Sequence, residues 1–198
     1  MNYSVILDST SLERQLLKKR LSKACRLLNR RGFVEYFEGN ISCRLPGGLY
    51  FIKRTGATFR DMKPDDLVLM DEKGKSLMGG TPSREKLLHL KVYRKRPDVS
   101  FIIHTHPPQL IRYSRSSDDL LKIGGPLEDE HSPKTNEIPI VGPFKAGSVE
   151  LATAVADALA DSACRAVIIR EHGLVVVGSR LDEAFDLTLL VEKMIGTI

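Results

Sequence analysis

The chain has 198 residues, 42% of them hydrophobic and 28% charged, with a formal net charge of +5; these are the proportions of a soluble globular protein, long enough for a single domain over 1–198 with its own core. No apolar run approaches the ~18–20 residues that span a bilayer, and Val5-Ile6-Leu7 is too short for a signal-peptide core, so no membrane role and a cytoplasmic setting are expected. Lys18-Lys19-Arg20 and Arg94-Lys95-Arg96 read as solvated helix faces without interleaved aromatics, which argues against nucleic acid, whereas a basic balance suits a small anionic substrate.

Cys25, Cys43 and Cys164 are odd in number and widely spaced, so neither a disulfide framework nor a thiolate metal site is expected. Along the chain, Thr10-Ser11-Leu12-Glu13 has the spacing of a capping box, and Leu12, Leu16, Leu17, Leu21, Ala24 and Leu28 predict an amphipathic helix to about Asn29. Gly39-Asn40 then reads either as a turn or as a place where backbone and carboxamide approach a phosphate or hydroxyl. A hairpin is expected around Pro46-Gly47-Gly48 with a strand over Leu49–Lys53, and Thr55-Gly56 after it is a second phosphate-loop candidate. Thr81 as N-cap and Pro82 as first helical residue predict a helix to about Arg96, with Leu87, Leu88, Val92 and Tyr93 inward. Its first turn offers N–H groups beside Ser83 and Arg84 to an anion. Glu85 in that turn either complements the helix dipole or does chemistry, and His89, one turn on, is a core histidine or a further ligand.

Phe101 to His106 reads as a buried strand ended by Pro107-Pro108. Side chains alternate in a strand, so His104 and His106 share a face, about 6.5–7 Å apart at Cα. The pair is half of a metal site, or one core histidine and one loop histidine. Pro107 to Ser114 begins a helix, and 115–137, containing His131, is a long polar loop expected at the rim of a site. Ile138–Val141 is a short strand, Ser148 caps a helix through Ala160, and Ser179-Arg180-Leu181-Asp182 opens the last helix, with Leu181, Ala184, Phe185, Thr188 and Met194 on one side. Between these helices Val167 to His172 is an apolar strand ending in a third histidine, with Gly173 suited to a tight turn and Leu174–Val177 returning. Three protein ligands with an open fourth position are the pattern of catalytic rather than structural zinc.

Gly39-Asn40-Ile41-Ser42-x-Arg44, Thr55-Gly56, Pro82-Ser83-x-Glu85-x-x-Leu88-His89, Pro97-Asp98-Val99 leading to His104-Thr105-His106, and Arg170-x-His172-Gly173 before Val175-Val176-Val177-Gly178, in that order, resemble the class II aldolase/adducin superfamily over roughly residues 12 to 195. The resemblance implies an α/β fold, a three-layer α/β/α sandwich on a mostly antiparallel sheet, assembled as a cyclic homotetramer with active sites between neighbours. It implies Zn²⁺, with Mn²⁺ or Fe²⁺ admitted by the same ligands, on His104, His106 and His172, with Glu85 as acid/base. Gly39, Asn40, Thr55, Gly56, Ser83 and Arg84 fall at its phosphate-binding positions. The implied activity is that of a metal-dependent lyase on a small phosphorylated ketose, by retro-aldol cleavage through an enediolate stabilised by the cation. The alternatives are a decarboxylase or dehydratase of a related hydroxy-keto acid, and an adducin-like non-catalytic module, which would be expected to lose the ligands this chain keeps. Two departures concern the substrate. Lys53-Arg54-Thr55-Gly56 stands where many relatives have Thr-Pro-Ser-Gly, and Ser83-Arg84 where they have two serines; the forked guanidinium of Arg84 suits a phosphate or a carboxylate. The chain stops at Ile198 without the C-terminal tyrosine tail of several relatives, so a proton donor to a leaving aldehyde is expected elsewhere.

Overall fold

Runs such as Ala166-Val167-Ile168-Ile169 and Leu174-Val175-Val176-Val177 are apolar at every position, which only a sheet covered on both faces accommodates. The computed structural model, which describes residues 3–116, 120–122 and 137–195, has that form. Its strands are β1 (Asn40–Leu45), β2 (Leu49–Lys53), β3 (Leu67–Met70), β4 (Ser76–Met78), β5 (Phe101–Thr105), β6 (Leu120–Lys122), β7 (Glu137–Val141), β8 (Ala166–Ile169) and β9 (Gly173–Gly178). Among the described residues they form one sheet in the order β4-β3-β2-β1-β5-β9-β8-β7-β6. Every pairing is antiparallel except β7 with β8.

The helices are α1 (Tyr3–Arg30), α2 (Lys86–Lys95), α3 (Pro108–Ser116), α4 (Val149–Ala158) and α5 (Leu181–Ile195). Strand alternation divides the core into two layers. Ile41, Cys43, Phe51, Ile103, Ile168, Leu174 and Val176 face α1, α3 and α5. Ile52, Ile102, Val167, Ile169, Val175 and Val177 face α2 and α4. The result is the α/β/α sandwich expected, and Cys25, Cys43 and Cys164 are buried free thiols within it.

The same parity fixes where the chemistry lies. His104 follows Ile102 on the α2/α4 face, and in β1, paired to β5 with Asn40 opposite His104, the residues on that face are Asn40, Ser42 and Arg44. β1 therefore presents a buried polar row to α2 while Ile41 and Cys43 pack on the other side.

Several expectations are corrected. Helix α1 is already formed at Tyr3, so Thr10 to Glu13 lies inside it rather than at a capping box. Helix α2 begins at Lys86 with Glu85 as N-cap, four residues beyond the Thr81-Pro82 start. Instead, Pro82 forms an antiparallel bridge with Arg54, flanked by the bonds Thr55 N–H to Thr81 O and Ser83 N–H to Lys53 O, each 2.9 Å. Proline fits that bridge because the hydrogen bonds are made by its neighbours and none needs its missing N–H. Residues 57–80, in which the pattern showed no element, contain β3, β4 and a 3₁₀ turn at Pro64–Asp66. The expected loop over 115–137 is shortened by α3 and by β6, while His131 and its surroundings lie outside the described residues.

Arg96 is the clearest departure from a solvated charge run, being 4% exposed. Its Nη1 donates to the carbonyls of Leu159, Asp161 and Cys164, each at 2.9 Å, while Nε and Nη2 hold Asp98 at 2.8 and 2.7 Å. The guanidinium thus joins the end of α2 to the connection between α4 and β8. Arg96→Met would leave those carbonyls without donors, so urea unfolding is expected to show a loss of about 3 kcal/mol or more; a loss below about 1 kcal/mol would mean that solvent reaches them instead.

Candidate metal centre and substrate cleft

His104 is the fourth residue of β5, fully buried between Asn40 of β1 and Val175 of β9. His106 stands just past the strand, where Pro107 and Pro108 end the ladder, and its N–H donates to Phe33 O at 2.9 Å. His172 is carried by the β8–β9 turn. That turn is closed by His172 N–H to Ile169 O at 3.0 Å and contains Glu171 in the left-handed region at φ 57. Ser114 at the end of α3 clamps it, its Oγ accepting the Glu171 N–H at 2.9 Å and its carbonyl accepting Arg170 Nη1 at 2.6 Å.

Two glycines allow this convergence. A Cβ on Gly173 would lie 2.2 Å from Thr105 O and 3.0 Å from the His106 ring, so only glycine lets β9 start against both histidines. Gly39, at φ +62, would place a Cβ 2.8 Å from His104 O, so the loop before β1 closes on the same strand.

The three imidazoles form a near-equilateral triangle, with ring centroids 4.7, 5.0 and 4.8 Å apart. Glu85 completes the group, and one donor atom from each of the four residues lies within 4.8 Å of the others. Glu85 Oε2 is 3.3 Å from His104 Nε2, and Oε1 is 3.5 Å from His172 Nε2. Oε1 is buried with no hydrogen-bond partner among the described residues.

This donor set fits a divalent cation. His104 Nδ1 donates to Leu174 O at 2.9 Å, which leaves Nε2 as the coordinating atom. Glu38 Oε2 stands 3.3 Å from His106 Nδ1 and can do the same for that ring. The Nε2 atoms of His104 and His106 are 3.0 Å apart. Two lone pairs at that distance repel, so a proton or a cation must sit between them; edges of about 3.3 Å follow from tetrahedral Zn–N bonds of about 2.0–2.1 Å.

The charges agree. Burial opposes ionisation of Glu85, but the cationic His104 beside it, His172 and the Asn40 hydrogen bond outweigh burial and hold the carboxyl below its ordinary range. Burial, with the His104 charge second, lowers His106 to about 2 and His172 to about 4. His104 is raised: burial alone would lower it, but the Glu85 charge and hydrogen bond prevail. Without a metal, the proton in the triangle therefore belongs to His104.

A cavity of about 550 Å³ opens beside the triangle, lined by Gly39, Asn40, Thr55, Gly56, Ser83 and Arg84 together with Glu85, His106 and His172. All the sequence-derived site residues thus reach this cleft except His104, which lies buried behind His106. Ser83 Oγ accepts the Glu85 N–H at 3.3 Å, leaving its own proton for a ligand. Arg54 turns away to pair with Asp66 at 2.6 Å. His89 stands apart from the triangle, against Asn40 and Ser42.

Lys53 and Glu38 also line the cleft, although the sequence singled out neither for a role in it. Lys53 Nζ is bound by the carbonyls of Phe37, Glu38 and Ala57 at 2.8, 3.3 and 2.9 Å, and burial lowers its pKa to about 8. It fixes the loop in front of β1. The available signal was its place two residues after Phe51, at a buried strand parity where lysine is rare.

Residues 19–197 match the family described as Class II Aldolase and Adducin N-terminal domain. An L-fuculose phosphate aldolase from Methanococcus maripaludis is 32% identical over 172 residues, 87% of this chain and 90% of that one. A 5-methylthioribulose-1-phosphate/5-deoxyribulose-1-phosphate aldolase from Escherichia coli is 30% identical over 172 residues, 87% of this chain and 78% of that one. The crystal structure of L-fuculose-1-phosphate aldolase from Thermus thermophilus superimposes with a TM-score of 0.79 at 26% identity, covering 93% of this chain and 92% of that one.

Cation uptake is expected to depend on the one imidazole that holds a proton. Below the raised pKa of His104 a metal must displace that proton, and above it none; His106 and His172 are already neutral. Calorimetry of the metal-free protein in buffers of different ionisation enthalpy should show release of about one proton per cation on the acid side, falling to none as pH rises. Glu85→Gln removes the charge that raises His104 and should move this transition to lower pH. Release of three protons, or a transition unmoved by the substitution, would contradict the assignment.

Proposed function

The chain belongs to the class II aldolase and adducin family, and from that membership we propose that it is a divalent-metal lyase that cleaves a carbon–carbon bond of a small phosphorylated ketose. The observation that carries the reading is the meeting of Glu85, His104, His106 and His172 beside a cleft that Ser83 and Arg84 also line. The relatives named as aldolases of fuculose phosphate and methylthioribulose 1-phosphate give the substrate class.

His104, His106 and His172 would hold the cation, Zn²⁺ in this reading, with Mn²⁺ or Fe²⁺ admitted by the same donors. When bound there it supplies Lewis-acid polarisation of the substrate carbonyl. The remaining work falls to the chain. Arg84, exposed at the cleft rim, and the Ser83 hydroxyl receive the phosphate, with Thr55, Gly56, Gly39 and Asn40 shaping its pocket. Glu85, held as a carboxylate, accepts the proton given up by the hydroxyl on the far side of the breaking carbon–carbon bond and returns it to the carbon beside the carbonyl as the aldehyde leaves. Lys53 holds the loop in front of β1, at the edge of the cleft, by its bonds to the Phe37 and Glu38 carbonyls. A cyclic homotetramer and a cytoplasmic setting complete the reading; no helix among the described residues is long and apolar enough to cross a membrane.

Incubation of the metal-loaded enzyme with a panel of ketose 1-phosphates should release dihydroxyacetone phosphate and an aldehyde, and chelation should abolish the release until cation is restored. Water loss from the intact ketose, without cleavage, would identify a dehydratase on the same site instead. Glu85→Gln is expected to lower kcat by about 10²–10⁴-fold. Arg84→Ala should raise KM about 10-fold or more for the phosphorylated ketose with kcat little changed, and leave the unphosphorylated sugar unaffected; equal effects on both would remove Arg84 from phosphate binding.

A further inference from the structure

Behind Glu85 runs a row of buried polar side chains of which the proposed chemistry uses only Asn40, at the edge of the cleft. Glu85 Oε2 accepts a hydrogen bond from Asn40 Nδ2 at 2.7 Å, and Asn40 Oδ1 meets His89 Nε2. His89 Nδ1 is 2.6 Å from Ser42 Oγ, which is 2.7 Å from the Tyr93 hydroxyl. Asn40, Ser42, His89 and Tyr93 are each 2% exposed or less, so water takes no part in settling which atom donates.

The chemistry of the endpoint settles it. A carboxylate only accepts, so Asn40 must turn its NH₂ to Glu85 and its oxygen to His89. That oxygen demands an N–H at His89 Nε2. Burial, helped by the His104 charge, lowers the His89 pKa to about 3, so the ring is neutral and has one N–H to give. Nδ1 is then a lone pair, Ser42 donates to it, and Tyr93 donates to Ser42 in preference to Ser100 O, which is farther at 3.4 Å. All bonds run one way, from Tyr93 on α2 through β1 back to the N-cap of α2.

The two ends of the Asn40 amide are nearly the same shape, and only their partners distinguish them. We propose that His89 is a positioning residue for Glu85: its Nε2–H locks the Asn40 carboxamide with NH₂ toward Oε2, pinning that oxygen beside His104 and leaving Oε1 beside His172. Without that N–H, Asn40 Oδ1 is left buried and unpaired, the amide can invert, and its oxygen then opposes the carboxylate. Glu85 loses its fixed rotamer while all three imidazoles remain in place.

The role rests on the reading of Glu85 as the acid/base, and the test separates the two. In the zinc-loaded enzyme, long-range ¹H–¹⁵N spectra should show His89 as the neutral Nε2–H tautomer between about pH 5 and 8; the Nδ1–H tautomer would overturn the proposal whatever the enzyme's substrate. His89→Leu should lower kcat for a cleaved ketose phosphate by about 10- to 100-fold with KM and bound zinc near wild type. His89→Gln, which can offer an N–H near the position of Nε2, should recover most of that loss. In a Glu85→Gln background His89→Leu should have no further effect on kcat, because it acts through that carboxylate. Independent, multiplying effects, or a Gln variant no better than Leu at equal folding and zinc content, would overturn it. Should no ketose phosphate be cleaved by wild type, the proposed substrate class falls while the tautomer still decides the relay.

Discussion

Two imidazole nitrogens 3.0 Å apart in a buried site cannot both present lone pairs, and the rest of the site follows from how the chain meets that demand. In the metal-free protein a proton on His104, balanced by Glu85, meets it; a third imidazole converges on the same point, and the four donors together could hold a metal ion there instead. The carboxylate serves as the counter-charge in the first state, and its Oε1 has no hydrogen-bond partner among the described residues. Fixing four charged or polar groups in one small volume requires a rigid frame around them.

The sheet is that frame. Strand period two puts His104 and the Asn40, Ser42, Arg44 row on the face that receives α2, and the opposite parity supplies apolar residues to α1, α3 and α5. One face of β1 is therefore committed to polar contacts at no loss to the other layer. Arg44 shows the same economy, since its guanidinium bonds the carbonyls of Tyr93, Arg96 and Val99 and so ties the C-terminal end of α2 to β1, while the N-terminal end carries Glu85 to the triangle. The backbone meets the side chains closely at Gly39 and Gly173, where a single methyl would reach a neighbouring carbonyl.

What the sequence made legible follows range of interaction. His104 and His106 were readable as a pair because strand alternation is local, and His172 because a buried run ending at His-Gly announces a turn. The α2 start was misread because Thr-Pro is a strong local cap signal, yet the Arg54–Pro82 bridge overrides it. Arg96 was hidden in a run of three basic residues, since nothing local says that one of them finds carbonyl partners more than sixty residues away. The place of Glu85 came from the order of motifs rather than from its own neighbourhood. The link from Asn40 to His89 was invisible for the same reason as Arg96: it joins residues from different elements, and periodicity carries no such information.

The fold, the family and the convergence of the four side chains now rest on coordinates and on likeness to known proteins, whereas the chemistry rests on the cation. X-ray absorption at the zinc edge of the reconstituted protein addresses it most directly. The account expects about three imidazole nitrogens at about 2.0–2.1 Å and the loss of one of them in His172→Ala. Zinc bound without imidazole scattering, or a first shell unchanged by that substitution, would contradict it.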